Sequence, residues 1–337
     1  MADSSYTSSS KDVLRLFKRL LLLLLILIAC DRLGGVVIKN MYQRLEVGQF
    51  GPKINAVIRH PHELIIFGSS RVENQYMATI VSEETGLSSY NAGFGGQSIL
   101  FHYGLEQLVL KKYTPKLVLL DMNLDDFTDH QRQHALDKLS ILLPYADNSK
   151  VYDLVAERGT YERLKLLSAI YPYNSQLLQI LKFTLRSDGS DRWRGFFPLY
   201  GSKMPRLIEL AEAGQSGDMV GASAEERSID PVWVERFIDS AREAGVRVVL
   251  VNSPRYPDHG FFYNQTELET LDKYRRWLKK KNVPLLEVTH EQVPELANPE
   301  LYSEPIHLNF EGAQIFSHHL GRMLREQGFA KPPVPGR

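Results

Sequence analysis

The stretch IIFGSSRVENQ, Ile65–Gln75, decides how the rest of the chain is read. Leu64 to Phe67 run apolar without interruption into Gly68; two serines and an arginine follow, and the spacing then turns helical. A short continuous apolar run closed by glycine reads as a strand covered on both faces, the form strands take in a parallel sheet. A serine just past such a glycine is ordinarily a helix N-cap. It is also where a nucleophilic hydroxyl can stand at a strand end, beside backbone N–H groups able to hold a developing oxyanion. The residues of this stretch alone leave Ser69 and Ser70 both open.

Working outward, the same alternation recurs. SSYNAGFGG, PKLVLLDMN, VRVVLVNSP and VPLLEV are strand-like. Between and after them, VENQYMATIVSEETG, SILFHYGLEQLVLKKY, PVWVERFIDSAREAG, QTELETLDKYRRWLKKKN and NFEGAQIFSHHLGRMLREQG are helical, with Gly86 as the first stop and Ser98 as an N-cap. Short apolar strands separated by amphipathic helices predict a three-layer α/β/α sandwich with a parallel sheet of about five strands and right-handed crossovers. Ligands of such sheets bind beyond the carboxyl ends of the strands. That places GSSR, GFGGQS, MNLDD and NSPRY on one rim. From 127 to 229 the alternation gives way to a mainly helical insertion rich in Tyr, Leu and Pro, ending in the polar EAGQSGDMVGASAEERS. It reads as a cap or partner surface on the rim side, with tyrosines that pack or stack on sugars.

Composition bounds the function. Acidic and basic residues balance at 40 each, so net charge gives no pointer to nucleic acid. The single cysteine, Cys30, excludes an intrachain disulfide and a cysteine-built metal cluster. The N-terminus is more informative. A polar tail, 1–12, precedes Arg15, Lys18 and Arg19, then the uncharged LLLLLLILIAC, Leu20–Cys30, then Asp31-Arg32 and LGGVVI. Segment 13–38 is long enough to span a bilayer, and the basic flank predicts a cytoplasmic N-terminus with everything beyond a connector, 39–60, outside. Asp31 and Arg32 then sit near an interface, snorkel, or pair with a partner helix. A signal anchor is the favoured reading. A lipoprotein signal with lipid on Cys30 and a cytosolic protein with a buried apolar helix are the alternatives.

Two further segments carry chemistry. In YNAGFGGQS the glycines let the backbone approach a substrate and aim an N–H at it, without the spacing of a dinucleotide fingerprint. In SEPIHLNFEG a carboxylate, Glu304, stands three residues before His307; it can hold one imidazole nitrogen and leave the other free as a base. DMNLDDFTDHQR opens like a calcium loop but has Asp126 and Arg132 where that loop needs Gly and Glu, so no metal site is expected there. HPHE and SHH read as solvated faces.

Together GSS, NAGFGGQS, DMNLDD and EPIH resemble the SGNH (GDSL-like) hydrolase superfamily over roughly 60–125 and 230–327. The resemblance implies an SGNH/flavodoxin-like domain over 61–330, followed by a loose tail, 331–337. It implies Ser70 as nucleophile, with Ser69 where the family has aspartate, and His307 as base with Glu304 in place of the usual Asp. The oxyanion hole it implies comprises the Ser70 N–H, Gly96 (Gly95 or Gly93 as alternatives) and Asn123, with Asp125 in that place in another register. Arg71 is expected to bind an anionic substrate. No cofactor is implied. With LLPYAD and IYPYNS, the chain is also similar to bacterial membrane-anchored SGNH-like proteins of the cell envelope. That similarity implies an esterase or O-acyltransferase acting on an envelope polysaccharide or other acylated glycan, with a membrane acyltransferase as partner. A non-catalytic SGNH-like scaffold that binds glycan is the alternative.

Overall fold

The computed structural model describes residues 10–46, 51–127, 132–184, 193–213, 231–256 and 265–331. The ends of both tails, most of EAGQSGDMVGASAEERS and residues 128–131 of DMNLDDFTDHQR lie outside them. Five strands, β1 (Leu64–Gly68), β2 (Ser89–Gly93), β3 (Leu117–Asp121), β4 (Arg247–Asn252) and β5 (Leu285–Glu287), form one parallel sheet in the order β2-β1-β3-β4-β5. β1, β2 and β3 are buried along their whole length; in β1 and β3 this shows as an apolar run, Leu64–Phe67 and Leu117–Leu120, whereas β2 buries Ser89 and Asn91 as well. The order reverses direction between β1 and β3. The crevice beyond the strand ends at such a switch point is where doubly wound sheets place ligands.

The helices are α1 (Ser10–Gln43), α2 (Gly51–Arg59), α3 (Ser70–Gln75), α4 (Ala78–Thr85) and α5 (Ile99–Leu110). The middle of the chain adds α6 (Arg132–Lys138), α7 (Ser149–Ala156), α8 (Glu162–Lys165), α9 (Leu177–Thr184) and α10 (Met204–Glu212). α11 (Val232–Glu243), α12 (Gln265–Lys280) and α13 (Phe310–Glu326) complete the set. Ile65, Phe67, Val118, Leu120 and Leu250 point to a core shared with α5 and α11, while Ile66, Leu119, Val249 and Val251 point to one shared with α13. Alternate residues of the strands thus feed opposite faces, as the pleat requires.

Several local details depart from expectation. VENQYMATIVSEETG forms two helices, not one. The break falls at Tyr76, whose backbone is extended and whose ring is fully buried. The Asn91 amide on β2 donates to the carbonyls of Val72 (2.6 Å) and Tyr76 (2.7 Å), holding the chain in that break. Gly86 ends α4 in the left-handed conformation as read. Ser98 precedes α5 without capping it; Asp126 Oδ1 accepts from the Ile99 N–H instead, at 2.7 Å. α1 begins at Ser10, inside the polar tail 1–12, and runs through Cys30 to Gln43. Segment 39–60 does more than connect. α2 is buried through Val57, and Asn55 donates to the carbonyls of Tyr42 and Leu45. The middle helices share the α5-side core: Leu139, Leu142, Val151 and Tyr173 pack in the same cluster as Phe67 and Phe237.

α1 is long and apolar enough to cross a membrane from Asp12 to Gln43. Asp31 and Arg32 do find partners, though not on another helix. Asp31 accepts from Ser168 Oγ at 2.5 Å, from the Ala169 N–H at 2.8 Å and from the Ile170 N–H at 3.3 Å, while Arg32 donates to the Leu167 carbonyl at 2.5 Å.

Candidate active site

The turn after β1 is built on Gly68. Its φ is +151°, and a Cβ there would lie 2.5 Å from Val72 Cγ2 and 3.0 Å from Asp121 Cβ. No side chain fits, so the chain reverses tightly and Ser70 opens α3 on the rim. The N–H groups in the first turn of a helix lack intrahelical acceptors and face outward from its start.

Glu304 and His307 sit on a two-strand antiparallel hairpin that the sequence did not disclose, β6 (Tyr302–Glu304) and β7 (His307–Leu308). The two residues are directly paired across it, with only Pro305 and Ile306 in the turn. Pairing puts both side chains on one face, so a glutamate reaches the imidazole where a shorter acid would be expected. Both turn carbonyls are held: Ile306 O accepts from Gln75 Nε2 on α3 at 2.7 Å, and Pro305 O accepts from the Tyr256 N–H beyond β4 at 3.0 Å.

The result is a line of two hydrogen bonds. Ser70 Oγ is 2.8 Å from His307 Nε2, and His307 Nδ1 is 2.6 Å from Glu304 Oε1. His307 is buried, whereas the Glu304 side chain is 41% exposed. Burial depresses the His307 pKa below 6.5; the Glu304 carboxylate pulls it up, and the charges of Arg71 and Arg255 push it down further. The imidazole is therefore neutral at pH 7, with one nitrogen directed at a hydroxyl and the other at a carboxylate.

The glycine loop separates its three glycines by their N–H groups. Gly93 donates to its neighbour Asn91 Oδ1 at 2.9 Å, and Gly95 donates to Glu73 Oε2 at 3.0 Å. Gly96 has φ +70°, its carbonyl is fixed by Lys138 Nζ at 2.8 Å, and its N–H has no acceptor among the described residues. A Cβ on Gly95 would stand 3.7 Å from Ser70 Cβ, so the loop borders the serine. Asn123 is half-buried in the loop after β3, its carbonyl accepting from the Asp126 N–H. The side chain of Asp125 lies outside the described residues.

Arg71 is not placed to meet a substrate. Only 4% exposed, it lies 2.8 Å from Asp121 Oδ2 and donates to the Met122 carbonyl. The guanidinium is neutralised beneath the rim because Asp121, at the end of the adjacent strand β3, is buried and needs a cation. The other oxygen of Asp121 takes the Tyr76 hydroxyl at 2.5 Å and the Ser253 N–H at 3.3 Å, so one carboxylate ties the ends of β1, β3 and β4 together. Asp121 and Asp126 thus serve as internal acceptors. No grouping of three or more His, Cys, Asp or Glu able to hold a metal occurs among the described residues.

Sequence reasoning passed over the residues that hold the loop. Lys53 of α2, buried, donates to the Gly93 carbonyl, lies 3.5 Å from Glu73 Oε1 and stands 5.0 Å over the Phe94 ring. Glu73 accepts from Gly95 and fixes the loop from the other side. A lysine seven residues before the first strand's histidine-rich lead-in carries no local signal for this. The segment 193–200 also reaches α3: Phe197 N–H donates to the Glu73 carbonyl at 2.8 Å, and Asn74 Nδ2 donates to the Phe197 carbonyl at 2.8 Å.

No protein-family model matches the chain, and no curated protein matches it. Among solved structures, a gut microbial diltiazem-metabolizing enzyme is similar with a TM-score of 0.31 and 9% identity, over 78% of this chain and 47% of that one. The chain therefore spans about half of that enzyme, and at this score the likeness carries no argument about activity.

Proposed function

We propose that the chain is a membrane-anchored SGNH-type serine esterase or O-acyltransferase acting on an ester of a cell-envelope glycan. The observation that carries the reading is the two-bond line from Ser70 through His307 to Glu304. His307, neutral at pH 7, takes the Ser70 proton on Nε2 as Oγ attacks the ester carbonyl. Glu304 accepts from Nδ1–H, fixes the tautomer and stabilises the imidazolium. The Gly96 N–H, the Ser70 N–H and the Asn123 amide hold the oxyanion, each donor contributing about 3 kcal/mol. When the tetrahedral intermediate collapses, the Nε2 proton passes to the leaving alkoxide. Water, or a sugar hydroxyl in transfer, then attacks the acyl-serine with His307 again as base. The uncommitted Gly96 N–H supports its choice over Gly93 and Gly95.

The glycan substrate, the extracytoplasmic position and a membrane acyltransferase that would deliver acyl groups rest on the resemblance and on the basic flank of α1. Asp31 and Arg32 tie the C-terminal half of α1 to Leu167–Ile170, and these bonds are compatible with either form of anchoring. Retention by lipid on Cys30 is the alternative, tested by whether Cys30→Ala changes mass and membrane retention.

The test uses the full chain in nanodiscs with 4-nitrophenyl acetate and a fluorophosphonate. Hydrolysis, a label mapped to Ser70, and loss of both in Ser70→Ala are expected. Undiminished hydrolysis by Ser70→Ala would overturn the catalytic assignment; no label, with glycan binding retained, would establish the scaffold reading.

A further inference from the structure

Besides the outside of α1, exposed large apolar side chains among the described residues concentrate on the segment 161–181. Leu178 is 84% exposed, and Tyr161, Leu164, Leu167 and Leu181 are each more than half exposed, all on or beside α8 and α9. Exposed patches of this kind mark a partner or a membrane. Its position along α1 says which.

Between the charged Arg19 and Lys39, α1 runs from Leu20 to Ile38, about 28 Å of helix at 1.5 Å per residue. That matches a hydrocarbon core of about 30 Å. Leu167–Ile170 meets α1 at Asp31–Gly35, which is inside this span and not beyond it. Asp31 and Arg32 bond that turn, and a Cβ on Gly35 would lie 2.4 Å from Ala169 Cβ, so the backbones approach closely. Leu33, Val36 and Val37 remain exposed at and past the same level. The apolar outside of α1 thus continues beyond the docking point, and whatever covers it also meets the docked turn. The bonding agrees: Asp31 receives three donors, as an acid at bilayer depth must. Exposed Arg163, Lys165 and Lys182 flank the leucines in the pattern of an interfacial helix, whose cations face lipid phosphates.

We infer that α8, α9 and the turn between them lie in the leaflet into which α1 emerges, forming an interfacial platform whose partner is the lipid bilayer itself. The inference rests on the membrane-anchor reading of α1. The domain is then held against the membrane at two places, and the Ser70 rim has a fixed attitude to the lipid surface instead of swinging on a tether.

Spin labels on the full chain in phosphatidylethanolamine–phosphatidylglycerol nanodiscs test it. Single cysteines replace Leu164, Leu178, Leu24 on α1 and Lys279 on α12, each in a Cys30→Ala background. Expected is a loss of collisions with an aqueous nickel reagent and a gain with oxygen at Leu164, Leu178 and Leu24, while Lys279 stays accessible to nickel. Lipid contact at Leu24 with water at Leu164 and Leu178 would overturn the platform and keep the anchor. Water contact at all four sites would overturn both. Because the labelled positions are exposed, unchanged circular dichroism is expected and keeps misfolding separate from either outcome.

Discussion

Replacing Glu304 with glutamine tests the proposed chemistry where the chain departs most from expectation. The substitution keeps size and removes charge beside His307 Nδ1, 2.6 Å away. Coulomb's law at that distance gives about 6 kcal/mol at an effective dielectric of 20 and about 1.6 kcal/mol in bulk water. The Glu304 side chain is 41% exposed, which draws the interaction toward the solvent-screened limit. A loss of about 2–3 kcal/mol of transition-state stabilisation is therefore expected, a fall of about 30- to 150-fold in kcat/KM. The pH profile adds a sign. Glu304 raises the His307 pKa against the burial that lowers it, so its removal lowers that pKa further. The acid limb of the kcat/KM profile, already below pH 6.5, should move to lower pH as the plateau drops. The assay is hydrolysis of 4-nitrophenyl acetate by the full chain across pH 4–9. A plateau within about threefold of the parent would show that Glu304 does not orient the base. An acid limb displaced upward would show instead that the hairpin had opened and rehydrated His307.

Arg71→Met strands the buried Asp121 carboxylate and should cost about 3–5 kcal/mol in denaturant unfolding, with Arg71→Met/Asp121→Asn losing less than the sum of the two single changes; additive losses would refute the pairing, and a raised KM with intact stability would restore Arg71 as a substrate cation. Gly68→Ala forces a Cβ to 2.5 Å from Val72 Cγ2 at φ +151°, so the melting temperature should fall by the equivalent of at least about 2 kcal/mol, and an unchanged melt would sink the close-approach argument. His102 and Glu106, one turn apart on α5, are both buried, and desolvation pushes the His102 pKa down to about 3 and the Glu106 pKa up. The unfolded chain takes up the His102 proton below pH 6.5, so this histidine should remove up to about 1.4 kcal/mol of stability per pH unit between 6.5 and 3. Glu106 has the opposite sign, its unfolded form ionising above pH 4.5; Glu106→Gln should flatten the loss of stability at rising pH, and an unaltered slope in urea titrations would refute its burial as a neutral acid.

The sheet was legible because its strands are buried on both faces: LIIF, LVLL and RVVLV need no partner to be recognised. Parallel pairing put GSSR and MNLDD on one rim, but the order β2-β1-β3-β4-β5, which sets them side by side at the switch point, came from the structure. What stayed hidden depends on contacts between distant segments. Arg71 looks like a cation for an anionic substrate until β3 is laid beside β1 and Asp121 arrives beneath it. Asp31 looks stranded in an apolar helix until the N–H groups of Ala169 and Ile170 reach it from 138 and 139 residues away. Glu304 looked a methylene too long for its place because the spacing to His307 does not reveal a hairpin. The acceptors that engage the Gly93 and Gly95 N–H groups, Asn91 and Glu73, were also out of sight, since no local pattern points their side chains at the loop.

The hairpin that carries Glu304 and His307 also bears on how the protein is made. His307 meets Ser70 across 237 residues of chain, and the hairpin is latched by Gln75 and Tyr256, which precede it. A ribosome must therefore complete all five strands of the sheet before the last two groups of the site exist. Ser70 is synthesised long before its proposed base, and its hydroxyl meets no His307 imidazole until the hairpin has emerged. An unfinished chain lacks the proposed base, and truncation before His307 also strips α13 from the face of the sheet that Phe316, Leu320 and Leu324 cover.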